Sequence, residues 1–364
     1  MKTTRIPWPA AAFATLPVVL LLFAACGPKG GPDVIRWDDL QQVALPESGL
    51  PCFSSVEQIL LDPEPNEYAM AYPEKVVLSG EKIYLMGGNG PNANAVVEYG
   101  HDGMPVRPIG KRGRGPGEYP RVTDFSVDGS GDCWLLDGST LTVYHYNADG
   151  ALVNKLRQPG LEKENPVVEE AVLFEKLANL PSGELLVGTA LWDESEWKDF
   201  QTVICDTLIQ VRKGQVEDPH TLDDNFAFDC KGICATGSGF QYLVPMEDKV
   251  HIFDRSGELL RSVMFDFGSK AVSDEFRKHV EPHFDELKDH TFLSSAAYVD
   301  GQWAMGALQA STTEGYTTFI ADLHQGKWYS VFASLGYFYG VWDGRAVWLR
   351  DTDAGWVLTL GTLK

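Results

Sequence analysis

The densest set of residues able to do chemistry lies in the loop Gly110–Tyr119. Lys111, Arg112 and Arg114, with Arg121 just beyond, form the one concentrated group of cations in a chain of net charge −21. Guanidinium groups grip carboxylates and phosphates in a planar fork, so the loop reads as a site for a carboxylate, an acidic sugar or a phosphate. Glu118 and Tyr119 complete it, and Arg112, Arg114, Glu118 and Tyr119 are taken as ligand-contact candidates. A structural role competes and is favoured: Gly113, Gly115 and Gly117 permit positive φ, Pro116 fixes a turn, and the arginines pair with an acidic surface. The loop is not a phosphate-binding P-loop, because no Gly-Lys-Ser/Thr leads into a helix. A second candidate is Trp192-Asp193-Glu194-Ser195-Glu196-Trp197. Aromatic faces beside carboxylates suit sugar stacking and hydroxyl hydrogen bonds, which makes Trp192 and Trp197 candidates. The alternative is that the two rings only cover a sheet edge.

Other chemistries find less support. His279 and His283 stand four apart with Glu281 between them, but the acid is one place off the HExxH pattern and Pro282 disturbs the helix, so no metal ligand is assigned. Gly237-Ser238-Gly239 is not a nucleophile elbow. The eight histidines form no recognisable triad with a Ser or Cys. Catalytic carboxylates cannot be picked out from 51 Asp and Glu. No cofactor is indicated; Ca²⁺ would suit the acidity, yet no EF-hand-like loop is present. The acidity also disfavours nucleic acid, whose phosphates want a basic surface.

The elements that must position these residues are short strands. Glycine (36) and proline (21) are plentiful, and six turns each carry a glycine followed by an apolar strand: Gly80, Gly131, Gly183, Gly239, Gly301 and Gly344. The steps between them are 51, 52, 56, 62 and 43 residues. A strand precedes each turn (Lys75–Leu78, Thr123–Val127, Glu175–Leu180, Lys231–Thr236, Ser295–Val299, Tyr337–Trp342). Third strands align as Val-x-x-aromatic-x-x-x-Gly at Val96–Gly103, Val143–Gly150 and Val250–Gly257. Fourth strands follow at Pro105–Ile109, Leu152–Leu156, Leu259–Phe265 and Trp328–Phe332. Four antiparallel strands repeated six times predict an all-β fold, a six-bladed β-propeller, over residues 34–364. The last unit lacks a fourth strand, which Val56–Leu61 is expected to supply. One short helical insertion is expected near 272–288, capped by Ser273.

The segment Gly113–Gly150 resembles an NHL-type repeat. More narrowly, it resembles the six-bladed, TolB-like β-propeller lipoproteins of Gram-negative gut bacteria, whose hallmark loop stands here as Gly113-Arg114-Gly115-Pro116-Gly117-Glu118-Tyr119. The resemblance is specific over about Lys82–Leu156 and implies fold and envelope location far more than activity. Residues 1–25 have the form of a secretory signal, with Lys2 and Arg5 before an apolar run. Leu22-Phe23-Ala24-Ala25-Cys26 resembles a bacterial lipoprotein signal, with Phe23 where leucine is commonest. The resemblance implies that Cys26 is lipidated and begins the mature chain, whose charge becomes −23, and that the protein is lipid-anchored to the outer membrane. Residues 26–33 then form a tether, and the lack of an acidic run there leans toward the periplasmic face. Of the other five cysteines, Cys230 and Cys234 are the candidates for a disulfide.

Propeller connections divide between two faces. The turns between strands one and two and between three and four are tight. The connections between strands two and three and between blades are long: Gly87–Asn94, Gly110–Tyr119, Pro159–Glu170, Trp192–Phe200, Ser269–His290 and Gln309–Gly315. Binding sites favour loops on rigid scaffolds, so the long-loop face is the expected site. The leading reading is a binding or scaffold propeller recognising a glycan, a peptide or a partner protein. The alternative is a propeller enzyme acting on a carbohydrate or lactone, of the lyase, lactonase or sugar dehydrogenase type, on fold analogy alone.

Overall fold

Before the first repeat the chain lays down three strands, β1 (Val34–Arg36), β2 (Gln41–Val43) and β3 (Phe53–Leu60). The first blade is β4 (Pro73–Ser79), β5 (Lys82–Gly87), β6 (Val96–Tyr99) and β7 (Pro105–Pro108). The second is β8 (Asp124–Val127), β9 (Cys133–Asp137), β10 (Thr142–Tyr146) and β11 (Leu152–Arg157). The third is β12 (Glu170–Asn179), β13 (Leu185–Asp193), β14 (Glu196–Cys205) and β15 (Val211–Lys213). The fourth is β16 (Ile233–Thr236), β17 (Gly239–Val244), β18 (Lys249–Asp254) and β19 (Leu259–Asp266). The fifth is β20 (Phe292–Val299), β21 (Trp303–Gln309), β22 (Tyr316–Asp322) and β23 (Lys327–Ser330). The sixth has only β24 (Tyr337–Trp342), β25 (Arg345–Thr352) and β26 (Gly355–Leu363) from the C-terminus. This computed structural model describes residues 33–364 apart from 47–48, 63–66, 69, 71, 88–92, 159–169, 181, 194–195, 215, 217–232, 237, 245–246, 274–289 and 310–315.

Each blade is an antiparallel meander, and the ring is a six-bladed propeller as expected. β3 completes the sixth blade by pairing antiparallel with β26, Ile59 opposite Leu358 and Val56 opposite Gly361. Joining the two ends of the chain in one sheet closes the ring and removes the free edge of β26. The sequence did not foretell the use of β1 and β2. They add parallel fifth strands to the outer edges of the fourth and fifth blades, on β19 and β23. The helix expected over 272–288 falls mostly outside the described residues. Trp328–Phe332 proves shorter as a strand: it ends at Ser330, and Phe332–Leu335 is a one-turn helix, α1.

The core is divided among the junctions between blades, because each sheet buries both faces. Tyr84, Phe125 and Tyr144 fill the first junction, Trp134, Phe174 and Leu185 the second, and Ile204, Phe240 and Phe253 the third. Val263, Phe265 and Phe319 fill the fourth, Met305, Phe338 and Trp348 the fifth, and Ile83, Leu349 and Leu358 the sixth. Side chains also bond to backbone across junctions. Ser79 Oγ donates to Asp128 O (2.6 Å), Ser295 Oγ to Phe338 O (2.8 Å) and Tyr339 Oη to Pro73 O (2.7 Å). Gln241 Oε1 accepts from Tyr298 N (2.7 Å). These bonds satisfy the groups they join where water is excluded.

The turns between third and fourth strands in the second, third and fourth blades share one grammar. Asn147, Asp206 and Asp254 each accept two backbone N–H groups, from Asp149 and Ala151, from Leu208 and Gln210, and from Ser256 and Glu258. The fourth residue of each turn has positive φ: Gly150 at 81°, Gly257 at 79° and, in the third blade, Ile209 at 62°.

Candidate functional site

The first strands of all six blades line a central cavity of about 1400 Å³. Each runs from the long-loop face toward the tight-turn face. Residues that open these strands therefore sit at the long-loop end of the cavity, and residues near the glycine turns sit at the other. Glu74, Lys75, Asp124 and Tyr337 belong to the first group, and Asn179, Trp342 and Asp343 to the second, with Lys176 inside β12 between them. Three of these strands bulge: β4 and β20 near the opening end, between Pro73 and Lys75 and between Leu293 and Ser295, and β12 past its middle, between Phe174 and Lys176. An extra residue in a strand re-aims its side chains and raises its twist, which places Glu74, Glu175 and Ser294 out of the regular alternation.

Asp124 is the polar anchor of the wall. It is 2% exposed. Its Oδ1 accepts from Lys75 Nζ of the first blade at 2.7 Å, and its Oδ2 accepts from the Leu177 backbone N of the third at 2.6 Å. Lys75 Nζ also donates to Leu177 O at 2.9 Å. Three blades are thus tied at one carboxylate. Burial pulls the Lys75 ammonium below the usual lysine range, and Asp124 opposes that fall. At the bulge in β12, burial pushes the Glu175 carboxyl up to about 7; Lys176 opposes the shift and Asp124 adds to it. A carboxyl that titrates near neutrality can hold or release a proton under working conditions.

Aromatic rings gather at the long-loop end between the sixth and first blades. Tyr337 and Trp356 line the cavity, and Tyr72 meets Trp356 edge-on with ring centroids 6.5 Å apart. Tyr337 packs edge-on against Tyr339 and donates from Oη to Ser294 Oγ at 3.0 Å. Arg350 lies beside them and donates from Nη1 to Ala333 O at 2.8 Å.

Of the residues singled out from the sequence, Arg112, Arg114, Glu118 and Tyr119 lie elsewhere and are not among those lining this cavity. Gly110–Tyr119 closes on itself: Gly113 N donates to Tyr119 O and Tyr119 N to Lys111 O. Glu118 Oε1 meets Lys111 Nζ at 2.6 Å and Oε2 accepts from Gly115 N at 2.8 Å, and both contacts hold the carboxyl below its ordinary range. Arg112 Nη1 donates to Ala93 O at 3.1 Å, and Arg121 Nε to Asn94 Oδ1 at 3.2 Å, so they bind the loop to the first blade. Tyr119 is fully buried in the first junction with its hydroxyl on Ile109 O, a core position that no ligand reaches. Arg114 is exposed. The segment with Trp192 and Trp197 is a hairpin rather than a long loop. β13 and β14 continue to Asp193 and Glu196, and the two tryptophans are direct cross-strand partners. Cys26 and Cys230 lie outside the described residues. Cys234 is buried, with Sγ 3.8 Å from Ala296 O. Burial raises the Cys52, Cys133 and Cys205 thiols to about 12 and Cys234 to about 11, so these four are protonated at neutral pH and are poor nucleophiles. Among the described residues no group of three His, Cys, Asp or Glu could hold a metal ion.

The cavity residues escaped sequence reasoning because they come from six strands spread along the chain. One signal was present: the inner strands carry polar residues, Lys75, Asp124, Lys176 and Tyr337, where a buried strand would be apolar throughout.

A protein from Bacteroides fragilis described as exported superposes with a TM-score of 0.65 at 16% identity, covering 91% of this chain and 99% of that one. A DUF4221 family member from Bacteroides vulgatus superposes at 0.52 with 10% identity, covering 86% and 97%. No curated protein matches in sequence. These likenesses establish the fold. The model of a six-bladed beta-propeller family, DUF5128, matches residues 41–299, and the chain belongs to that family.

Proposed function

We propose that the protein is an envelope-anchored binding propeller, held to the outer membrane through a lipid on Cys26, that takes its ligand into the long-loop end of the central cavity. The observation that carries this reading is the pairing of a cavity of about 1400 Å³ with an aromatic mouth, Tyr337 and Trp356, beside charged groups Glu74, Arg350 and Asp351. Rings that present a flat apolar face next to hydrogen-bonding groups fit the alternating faces and hydroxyls of a sugar. A glycan is therefore the first ligand class, ahead of a peptide or a partner protein. A screen of host and bacterial glycans, with and without Ca²⁺, tests it. Trp356→Ala and Tyr337→Ala should each weaken a glycan hit at least about tenfold, whereas Arg114→Ala should leave it unchanged. A hit that ignores both aromatic changes would remove the cavity from the reading. Export is in keeping with the B. fragilis neighbour's description. The anchor is tested by palmitate labelling of the wild type and of Cys26→Ala.

Glu175 favours a second reading, an enzyme acting on a carbohydrate or lactone. Its carboxyl titrates near 7 beside Lys176, which lines the cavity. If the protein turns a sugar or lactone over, Glu175→Gln should abolish turnover while binding persists. Turnover that survives the change would rule this residue out as the proton carrier.

A further inference from the structure

We propose that the outer wall of the fourth blade is a bilayer-facing surface, which lays the propeller on its side against the membrane. The inference rests on the lipid anchor at Cys26. The sheet formed by β19 and β1 alternates from Arg261 to Asp266, after a bulge at Leu260. Ile35, Val263 and Phe265 point into the junction with the fifth blade and are at most 2% exposed. The opposite face carries Met264 (38% exposed), with Val34 (38%) directly across from it, and Leu259 (50%) opposite Phe253, while Leu260 (61%) stands beside them as the bulge residue of β19. A strand face turned to water is normally polar, and here it is apolar at the place where the tether joins the sheet.

Exposure alone does not choose this wall, since Val106 on the first blade is 55% exposed. The tether chooses it. Seven peptide steps separate Cys26 from Asp33, a reach of about 25 Å at full extension. Asp33 is fastened to the fourth blade: its carbonyl accepts from Met264 N at 2.9 Å, and its carboxylate pairs with Arg261 at 3.0 Å. The first blade stands opposite in the ring. Two four-stranded blades and the channel lie between the walls, more than about 30 Å at strand spacing, so Val106 cannot share the bilayer that holds Cys26. Acids near the patch are already engaged. Glu258 pairs with Lys213 at 2.8 Å, and Asp266 accepts from Gly268 N at 2.9 Å. Arg36 is exposed across from Asp266, on the same face as Val34, placed as a cation at a headgroup layer. The consequence is an orientation: the channel axis runs along the membrane plane, and the long-loop end opens sideways.

The test uses the full lipidated chain in vesicles of phosphatidylethanolamine and phosphatidylglycerol. An environment-sensitive fluorophore is placed on Leu260→Cys, on Met264→Cys and on Val106→Cys, with the wild type labelled in parallel as background. A quencher carried on shallow lipid positions should quench the label at 260 and at 264 at least about twofold more than the label at 106, and aqueous iodide should show the reverse order. Flotation of the wild type with the vesicles is scored first. Equal quenching at the three positions on a chain that floats overturns the wall and leaves the anchor standing. A wild type that does not float, or floats unchanged as Cys26→Ala, overturns both.

Discussion

Asp124 is the residue on which the channel wall turns. Its two oxygens serve Lys75 and the Leu177 backbone from opposite neighbours. Asp124→Ala should cost about 3 kcal/mol in urea denaturation, because it strands a half-covered ammonium and leaves a buried N–H unpaired. The double change Lys75→Met with Asp124→Leu should regain much of that loss, since apolar groups need no partner. Glu175 supplies a pH dependence of definite sign. Its folded carboxyl titrates at about 7, above its ordinary value of 4.5. The folded state therefore binds the proton more tightly than the unfolded one between those pH values. Stability should fall as pH rises from about 4.5 through 7, by up to about 3 kcal/mol, and stay lower above that range. Denaturation midpoints of wild type and Glu175→Gln across this range check it: the substitution should flatten the slope, and an unchanged slope would assign the proton elsewhere.

At the scale of elements, the third blade shows why its turn was hard to read. The other two Asx turns between third and fourth strands place glycine where φ is positive, and this one places Ile209. A β-branched residue there costs about 1–2 kcal/mol, yet its side chain is 2% exposed in the second junction. Burial outweighs strain, so Ile209→Gly should destabilise by about 1–3 kcal/mol despite the better backbone fit. A gain in melting temperature would show that strain dominates. The N-terminal strands differ in weight. Removing residues through 43 strips the added outer strands together with Ile35 and Trp37, which pack into the fourth junction, and should lower stability by on the order of 3–5 kcal/mol while leaving the ring closed. Removing residues through 60 takes β3 and opens the ring, and should abolish cooperative unfolding. Both are read from calorimetric traces.

For the whole molecule, closure decides what the cavity can be. Six inner strands meet only because β3 seals the sixth blade, and polar bonds cross the junctions between blades. The aromatic mouth joins residues from both sides of the seal, Tyr72 before the first blade and Trp356 in the last. A ligand that bridges these rings should protect the protein against thermal unfolding in proportion to its concentration above Kd, by about 2.7 kcal/mol at a hundredfold excess. Shift assays with a glycan hit measure this, and Trp356→Ala should remove most of the shift.

Repeat number, strand order and the closing strand were legible in the residues themselves. A turn glycine, at positive φ in five of the six units, and a period-two apolar pattern are local properties, and six copies reinforce one another. The basic loop was legible as a loop, but its role was not: whether Lys111 and Arg112 face a ligand or tie the loop down depends on Glu118 and Ala93 being within reach. Tyr119 looked like a contact residue and is a core residue, because burial is a property of neighbours and not of type. Lys75, Asp124, Lys176 and Tyr337 share only the weak mark of a polar group in an otherwise apolar inner strand, and Trp356 lacks even that. Spread across nearly 300 positions, they became one cavity only when the ring brought the inner strands around a common axis, a long-range arrangement that no local pattern encodes.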